Sequence, residues 1–77
     1  MKIKVLYFAS LREEIGRAND EIVVSDPINV MDAWKQATGL SDLREGLLVA
    51  VNQEYTTLDK TLVDGDEIAF FPPVTGG

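Results

Sequence analysis

The sequence predicts an α+β domain in which one mixed β-sheet of about five strands packs on one main helix. Residues Lys2–Phe8 alternate between two faces, as a half-buried strand does. Apolar residues at helical spacing begin at Val30, directly after an asparagine that can cap a helix. The continuous apolar run Leu47–Val51 is typical of a strand covered on both faces. At 77 residues the chain has room for one domain, residues 1–77.

The N-terminal segment predicts a strand, a short helix and a second strand. On the first strand the odd-numbered residues of Ile3–Tyr7 share the face that we expect to be buried. In the helix that follows, Ser10 is the expected N-cap and Gly16 the expected C-terminal glycine. Glu21–Ser25 is expected to return along the first strand, so that the two form an antiparallel pair around the helix.

The main helix is predicted from its ends and from its apolar stripe. After a break at Pro27, Asn29 can cap the helix and Asp32, three residues later, can complete the reciprocal bond. The stripe places Trp34 in the core, and Gly39 ends the helix.

The C-terminal half predicts the rest of the sheet. Leu47–Val51 is expected to be a central strand, and Tyr55–Leu58 a short strand at an edge. A turn around Gly65 leads into the last strand, Glu67–Phe71. Largely buried side chains are expected at Val5, Tyr7, Val23, Trp34, Leu48, Ala50, Leu62, Ile68 and Phe70.

Composition excludes several classes of function. The net charge of −6 leaves no basic footprint for nucleic acid, and no apolar run has the length of a membrane span or a signal peptide. The chain has no cysteine and no histidine, so it lacks a thiol nucleophile, the commonest general base and the commonest metal ligand. We expect a cytoplasmic protein with no metal site and no permanently bound cofactor.

The last six residues, 72–77, carry the functional signal. Pro72 and Pro73 cannot donate ladder hydrogen bonds, so the last strand should end and an extended tail should leave the domain. Gly76 and Gly77 have no side chains and can enter a channel too narrow for a Cβ atom. The alternative is an ordinary frayed terminus. A projecting terminal carboxylate on Gly77 would become reactive once adenylation by ATP converts its oxygen into a good leaving group.

The segment Asp64–Gly77 resembles the C-terminal end of the molybdopterin synthase small-subunit family. The segment Ile3–Ala9, with the Leu11–Glu13 that follows it, is similar to the start of that family, and Val51–Gln53 also fits. The stretch Asn19–Glu45 matches in pattern only.

This resemblance implies a β-grasp, ubiquitin-like fold and a sulfur carrier without an active site of its own. A ubiquitin-activating-like adenylyltransferase would adenylate the Gly77 carboxylate with ATP, and a sulfurtransferase would supply the sulfur of a thiocarboxylate. The large synthase subunit would take up the tail, with Gly76 allowing the fit. Sulfur would then pass to cyclic pyranopterin monophosphate to form the dithiolene of molybdopterin.

Strand parity predicts a partner surface. Phe8 and Phe71 fall on the strand face opposite the core, and Tyr55 lies near a sheet edge. An exposed aromatic cluster on a small protein marks an interaction site, although single surface aromatics are common. The expected partner-binding residues are Phe8, Tyr55, Phe71, Pro72, Pro73, Val74 and Thr75.

Three other functions fit parts of the sequence. A thiamine-pathway sulfur carrier is similar in size, fold and Gly-Gly end, but the run Phe70–Pro73 looks more like the molybdopterin family. A ubiquitin-like modifier would be joined through Gly77 to lysines of target proteins. A plain binding module with a frayed end would be unaffected by loss of Gly77.

Overall fold

The computed structural model describes residues 1–41 and 46–73 of the chain. Within them, one five-stranded sheet has the strand order β2-β1-β5-β3-β4. Strands β1 and β5 are parallel, and the other neighbouring strands are antiparallel. The elements, in chain order, are β1 (Lys2–Tyr7), α1 (Ala9–Ile15), β2 (Asn19–Val23), α2 (Val30–Thr38), β3 (Leu48–Val51), β4 (Glu54–Tyr55) and β5 (Glu67–Phe71). This architecture confirms the predicted α+β class.

The first and last strands lie side by side in the middle of the sheet. Val5 is opposite Ile68, and Tyr7 is opposite Phe70. Because β5 lies between β1 and β3, its backbone is held on both edges up to the point where the tail begins. The fold therefore gives the C-terminal segment a rigid origin.

Helix α2 covers one face of the sheet and forms the core with it. Trp34 is 1% exposed, and its ring meets that of Phe70 edge-on, with 4.9 Å between the ring centroids. The predicted capping box is present: Asn29 Oδ1 accepts from the Asp32 N–H at 2.8 Å, and the Asn29 N–H donates to Asp32 Oδ2 at 3.4 Å. Of the predicted core residues, the structure confirms Val5, Tyr7, Trp34, Ala50, Leu62, Ile68 and Phe70 as buried.

The prediction for Val23 was wrong, because its side chain is 73% exposed. Strand β2 begins at Asn19 rather than at Glu21, and its neighbours Ile22 and Val24 are buried instead. The cause is register: Ile22 lies opposite the inward-facing Ile3, which turns Val23 to the outer face. Leu48 is half-buried rather than buried.

Two other boundaries differ from the prediction. Ser10 does not cap α1; the N-cap position is Phe8, which makes no side-chain capping bond. The edge strand spans Glu54–Tyr55 instead of the predicted Tyr55–Leu58, so it begins one residue earlier and ends three residues earlier than expected. Asn52 and Gln53 have φ values of 51° and 72°, so they form a two-residue hairpin turn and pairing resumes at once.

A partly exposed hydrogen-bonded cluster joins the sheet to the end of α2. The Tyr7 hydroxyl donates to Asp20 Oδ2 at 2.8 Å, and Arg17 Nε donates to the same oxygen at 2.6 Å. Arg17 also donates to the carbonyl of Ala37, in the last turn of α2, at 2.7 Å. Burial and the hydrogen bond to Asp20 raise the pKa of the Tyr7 hydroxyl well above 10, and Arg17 only partly opposes this.

We expect the free energy of unfolding to fall in alkaline solution because of Tyr7. Because the pKa of Tyr7 is higher in the folded state than in the unfolded state, its protonated hydroxyl stabilises the fold below about pH 10. This contribution to stability is lost as the pH rises through the folded-state pKa. Tyr7→Phe keeps the ring but removes the titrating hydroxyl, so its stability should fall less steeply. Denaturant melts of both proteins from about pH 8 to about pH 12 measure the difference. Parallel alkaline profiles would contradict the prediction.

Candidate functional site at the outer sheet face and the tail root

One half of the sheet face opposite α2 is apolar. Its residues alternate along the strands with core residues and are brought together by the pairing of β1, β5, β3 and β4. We call this surface the outer apolar patch; it consists of Leu6, Leu48, Ala50, Tyr55, Ala69 and Phe71. An exposed apolar sheet surface is suited to docking against another protein.

Tyr55 and Phe71 form the centre of the outer apolar patch. Tyr55 is 74% exposed and Phe71 is half-buried. Their ring centroids are 5.8 Å apart with 57° between the ring planes, so the pair spans β3. In the register, Leu48 lies opposite Phe71, and Ala50 lies opposite Tyr55. The small side chain of Ala50 and the flanking Leu48 give the two rings an apolar floor.

Phe8 lies away from this pair. It is 47% exposed, as parity predicts, and its N–H donates to the Phe70 carbonyl at 3.1 Å, so it sits beside the end of β5. Among the described residues, however, no ring contact joins Phe8 to Tyr55 or Phe71. The structure thus brings two of the three predicted aromatics together, and the partner role of all three stays a prediction.

The other half of the outer face is charged. Lys4 pairs with Glu67 at 3.9 Å, and Lys2 pairs with Glu21 at 3.7 Å. Such exposed pairs add little stability, but they keep this half of the face hydrated. Because Glu67 begins β5 and Phe71 ends it, the apolar half is the one next to the tail.

A shallow groove of about 580 Å³ extends the apolar half toward the sheet edge beside Tyr55. Leu47 and Leu58 line it together with residues of β3 and β4. Neither leucine is among the site residues predicted from the sequence. Leu58 could have been found only by knowing that β4 ends at Tyr55, since a longer edge strand would have placed it elsewhere.

The tail root follows directly from β5. The strand ends at Phe71, as expected from the two prolines that follow it. Pro72 is half-buried, and Pro73 is exposed. The predicted site residues Val74, Thr75, Gly76 and Gly77 lie outside the described residues.

The acidic turn before β5 has a structural role. Asp66 is buried; its carboxylate accepts from Asn52 Nδ2 at 2.9 Å and from the Val63 N–H at 2.8 Å. Asp64 accepts from the Lys2 N–H at 2.7 Å. These carboxylates hold loops together, and in residues 1–41 and 46–73 no three potential ligands are grouped for a metal ion. Neither helix of that part is long and apolar enough to cross a membrane.

Comparison with known proteins identifies the family, since residues 5–77 match the model of the ThiS family. The chain belongs to the ThiS family. Within it, the molybdopterin synthase sulfur carrier subunit of Escherichia coli is 46% identical, over 97% of this chain and 99% of the relative. The human protein of the same name is 41% identical, over 99% of this chain and 94% of the relative. The resemblance found in the sequence is thereby confirmed.

Solved structures confirm the β-grasp class of this ThiS-family chain. Small archaeal modifier protein 1 of Haloferax volcanii superposes with a TM-score of 0.82 at 28% identity, with 100% of both chains covered. One chain from the protein-protein complex of subunits 1 and 2 of the molybdopterin-converting factor of Helicobacter pylori also superposes. Its TM-score is 0.66 at 26% identity, again over 100% of both chains.

Proposed function

We propose that this chain is the sulfur carrier and small subunit of a molybdopterin synthase. One observation carries the proposal: over nearly its full length, the chain is 46% identical to a molybdopterin synthase sulfur carrier subunit. The architecture supports it, because β5 delivers the proline root of the tail from the edge of an apolar docking surface. The product would be the dithiolene of molybdopterin, made from cyclic pyranopterin monophosphate, in the cytoplasm.

The reacting group is the Gly77 carboxylate. A carboxylate resists nucleophiles because it is charged and its oxygen is a poor leaving group. In the proposed scheme, that oxygen attacks the α-phosphorus of ATP and pyrophosphate leaves. Sulfide-level sulfur, supplied through a sulfurtransferase, then attacks the carbonyl carbon, and AMP leaves with the electron pair of the broken C–O bond. The product is a thiocarboxylate. An ionised sulfur is the competent nucleophile for the final transfer.

The chain supplies surfaces and a terminus, and its partners supply catalysis. The full sequence contains neither cysteine nor histidine, so sulfur can travel only on the backbone terminus. An adenylyltransferase, a sulfurtransferase and the large synthase subunit are the proposed partners. The likeness to a chain from a two-subunit complex of the molybdopterin-converting factor supports a large-subunit partner.

We expect Phe71→Ala to weaken binding to the large subunit by about 2 kcal/mol or more, as for an interface hot spot. Phe71 packs on Tyr55 in the outer apolar patch and ends the strand from which the tail leaves. Because the core lies on the other face, the melting temperature should change little. Calorimetric titration with the large subunit, beside a thermal melt, measures both quantities.

Val23→Ala is the matched control for this experiment. It also removes an exposed apolar side chain from the outer face, but on the edge strand β2, next to Lys2 and far from the patch. Its affinity should equal that of the unmodified chain. Unchanged affinity of Phe71→Ala together with a large loss of stability would place Phe71 in the core and reject the patch as the docking surface.

Mass spectrometry of the protein isolated from its own cells tests the proposed function. We expect a fraction of the chains to carry a mass increase equal to the difference between sulfur and oxygen, located on Gly77. Deleting the gene should abolish molybdopterin and leave thiamine synthesis intact. Loss of thiamine with intact molybdopterin would instead establish the thiamine-pathway carrier.

A protein modifier is the second candidate, and the similarity to small archaeal modifier protein 1 favours it. Both functions would begin with an adenylate at Gly77. Conjugation leaves an isopeptide bond between Gly77 and a target lysine, whereas sulfur transfer leaves a free chain. Digestion of cell extracts and a search for lysines modified by the C-terminal fragment separate the two.

A further inference from the structure

The tail root packs against a glycine in the loop before β3. Gly46 has a φ of +82°, in the left-handed region. A Cβ atom on this residue would lie 3.6 Å from Cγ and 3.9 Å from Cδ of Pro73. The proline ring therefore lies beside Gly46, close enough for a Cβ atom at this position to touch it.

This contact continues the register of the sheet beyond its last hydrogen bonds. In the β3–β5 ladder, Val49 is opposite Phe70 and Leu48 is opposite Phe71. Two more steps along the same antiparallel register bring Gly46 opposite Pro73. Proline has no N–H to donate, so the ladder cannot hold this residue.

The contact distinguishes Gly46 from the other left-handed glycines that the structure describes. Around Gly16, Gly39 and Gly65, an added Cβ would meet no atom within 4 Å. Those three residues follow helices or form a turn. Gly46 alone among the described glycines combines a left-handed backbone with a contact to the tail.

We propose that Gly46 is a positioning residue for the tail, which fixes the direction in which Pro73 leaves the domain. The inference rests on the proposed function, in which a partner holds the outer apolar patch while its active site receives the terminus. With the patch docked, the angle at the root decides where the terminal carboxylate arrives. A small displacement of a reacting group lowers a rate severely even when binding is unchanged.

Gly46→Val and Pro73→Ala test the contact from its two sides, with Gly65→Val as the matched control. A β-branched residue does not tolerate a positive φ, so both valine variants force the backbone to move. Gly65, with a φ of +88°, lies before β5, at the end of the strand opposite the tail. All three variants are loaded by the adenylyltransferase and sulfurtransferase in single turnover, and their affinity for the large subunit is titrated.

We expect Gly46→Val and Pro73→Ala to slow sulfur loading about tenfold. Gly46→Val, which replaces none of the expected partner-binding residues, should do so with little change in affinity for the large subunit. The double variant should be no slower than the slower single variant, because both substitutions disturb the same pair of neighbouring residues. Gly65→Val should lose stability and load at the normal rate. Equal slowing by Gly65→Val, or multiplied effects in the double variant, would overturn the inference.

Residual dipolar couplings of the Val74 and Thr75 amides separate this inference from the proposed function, because they need no partner enzyme. The couplings, fitted in the alignment frame of the sheet, should change in Gly46→Val and Pro73→Ala but not in Gly65→Val. Unchanged couplings in the first two would overturn the positioning role even if loading proceeds. If the unmodified chain is never loaded, the proposed function fails, and the couplings alone decide the role of Gly46.

Discussion

Removing Gly77 is expected to abolish sulfur loading and to leave the melting temperature of the domain unchanged. The described core is complete at Phe70, so the fold does not depend on the last residue. Deletion leaves a carboxylate on Gly76, withdrawn by up to about 3.5 Å along an extended chain. Reacting atoms must approach to about that distance themselves, so the shortened terminus cannot reach its target. Thiocarboxylate formation followed by mass spectrometry, beside a thermal melt, measures the outcome.

Two further variants identify what the terminus must provide. Adding one alanine after Gly77 keeps a terminal carboxylate but moves it outward by one residue, opposite to the deletion. This addition should also abolish loading. Gly76→Val keeps the length of the tail and adds a branched side chain, which should block entry to a narrow channel. A chain that lacks Gly77 and is still fully loaded would refute the proposed reacting group.

Trp34→Ala is expected to lower the free energy of unfolding by about 3–5 kcal/mol, the largest stability loss that we predict for one residue. Its ring is almost fully buried between α2 and the sheet and meets the ring of Phe70. Alanine would leave a cavity in a core that is thin because the domain is small. Total stabilities are about 5–15 kcal/mol, so the substitution would remove a large fraction of the stability of the domain. Urea unfolding followed by circular dichroism measures the loss.

Lys35→Ala is the matched control, since Lys35 is the next residue of α2 and is exposed. It keeps the helix and removes no core contact, so the free energy of unfolding should change by no more than about 0.5 kcal/mol. A loss below about 1 kcal/mol for Trp34→Ala would contradict the placement of α2 on the sheet. The same variant should lose affinity for the large subunit only in proportion to its unfolded fraction, because Trp34 and the outer apolar patch lie on opposite faces of the sheet.

The sequence by itself determined the features that depend on neighbouring residues. Asn29 and Asp32 are three positions apart, so their capping box needs nothing from the rest of the chain. Proline cannot donate a ladder bond, and β5 accordingly ends at Phe71 whatever lies beside it. The alternation along β1 located the core face of that strand, because Ile3, Val5 and Tyr7 share one face while two lysines lie on the other. The Gly-Gly end and its likeness to a known family pointed to the reacting terminus before any geometry was available.

Only the tertiary structure decided the features that depend on residues distant in sequence. Parity along β2 could be set only by its pairing with β1, so Val23, which the sequence pattern placed inside, faces outward. Tyr55 and Phe71 meet because β4 and β5 flank β3, whereas Phe8, equally aromatic and exposed, lies apart from them. The position of Pro73 beside Gly46 comes from the antiparallel register of β3 and β5, and neither residue alone reveals it. Local chemistry fixed the start of α2 and the end of β5, but pairing between distant strands fixes which side chains share a surface.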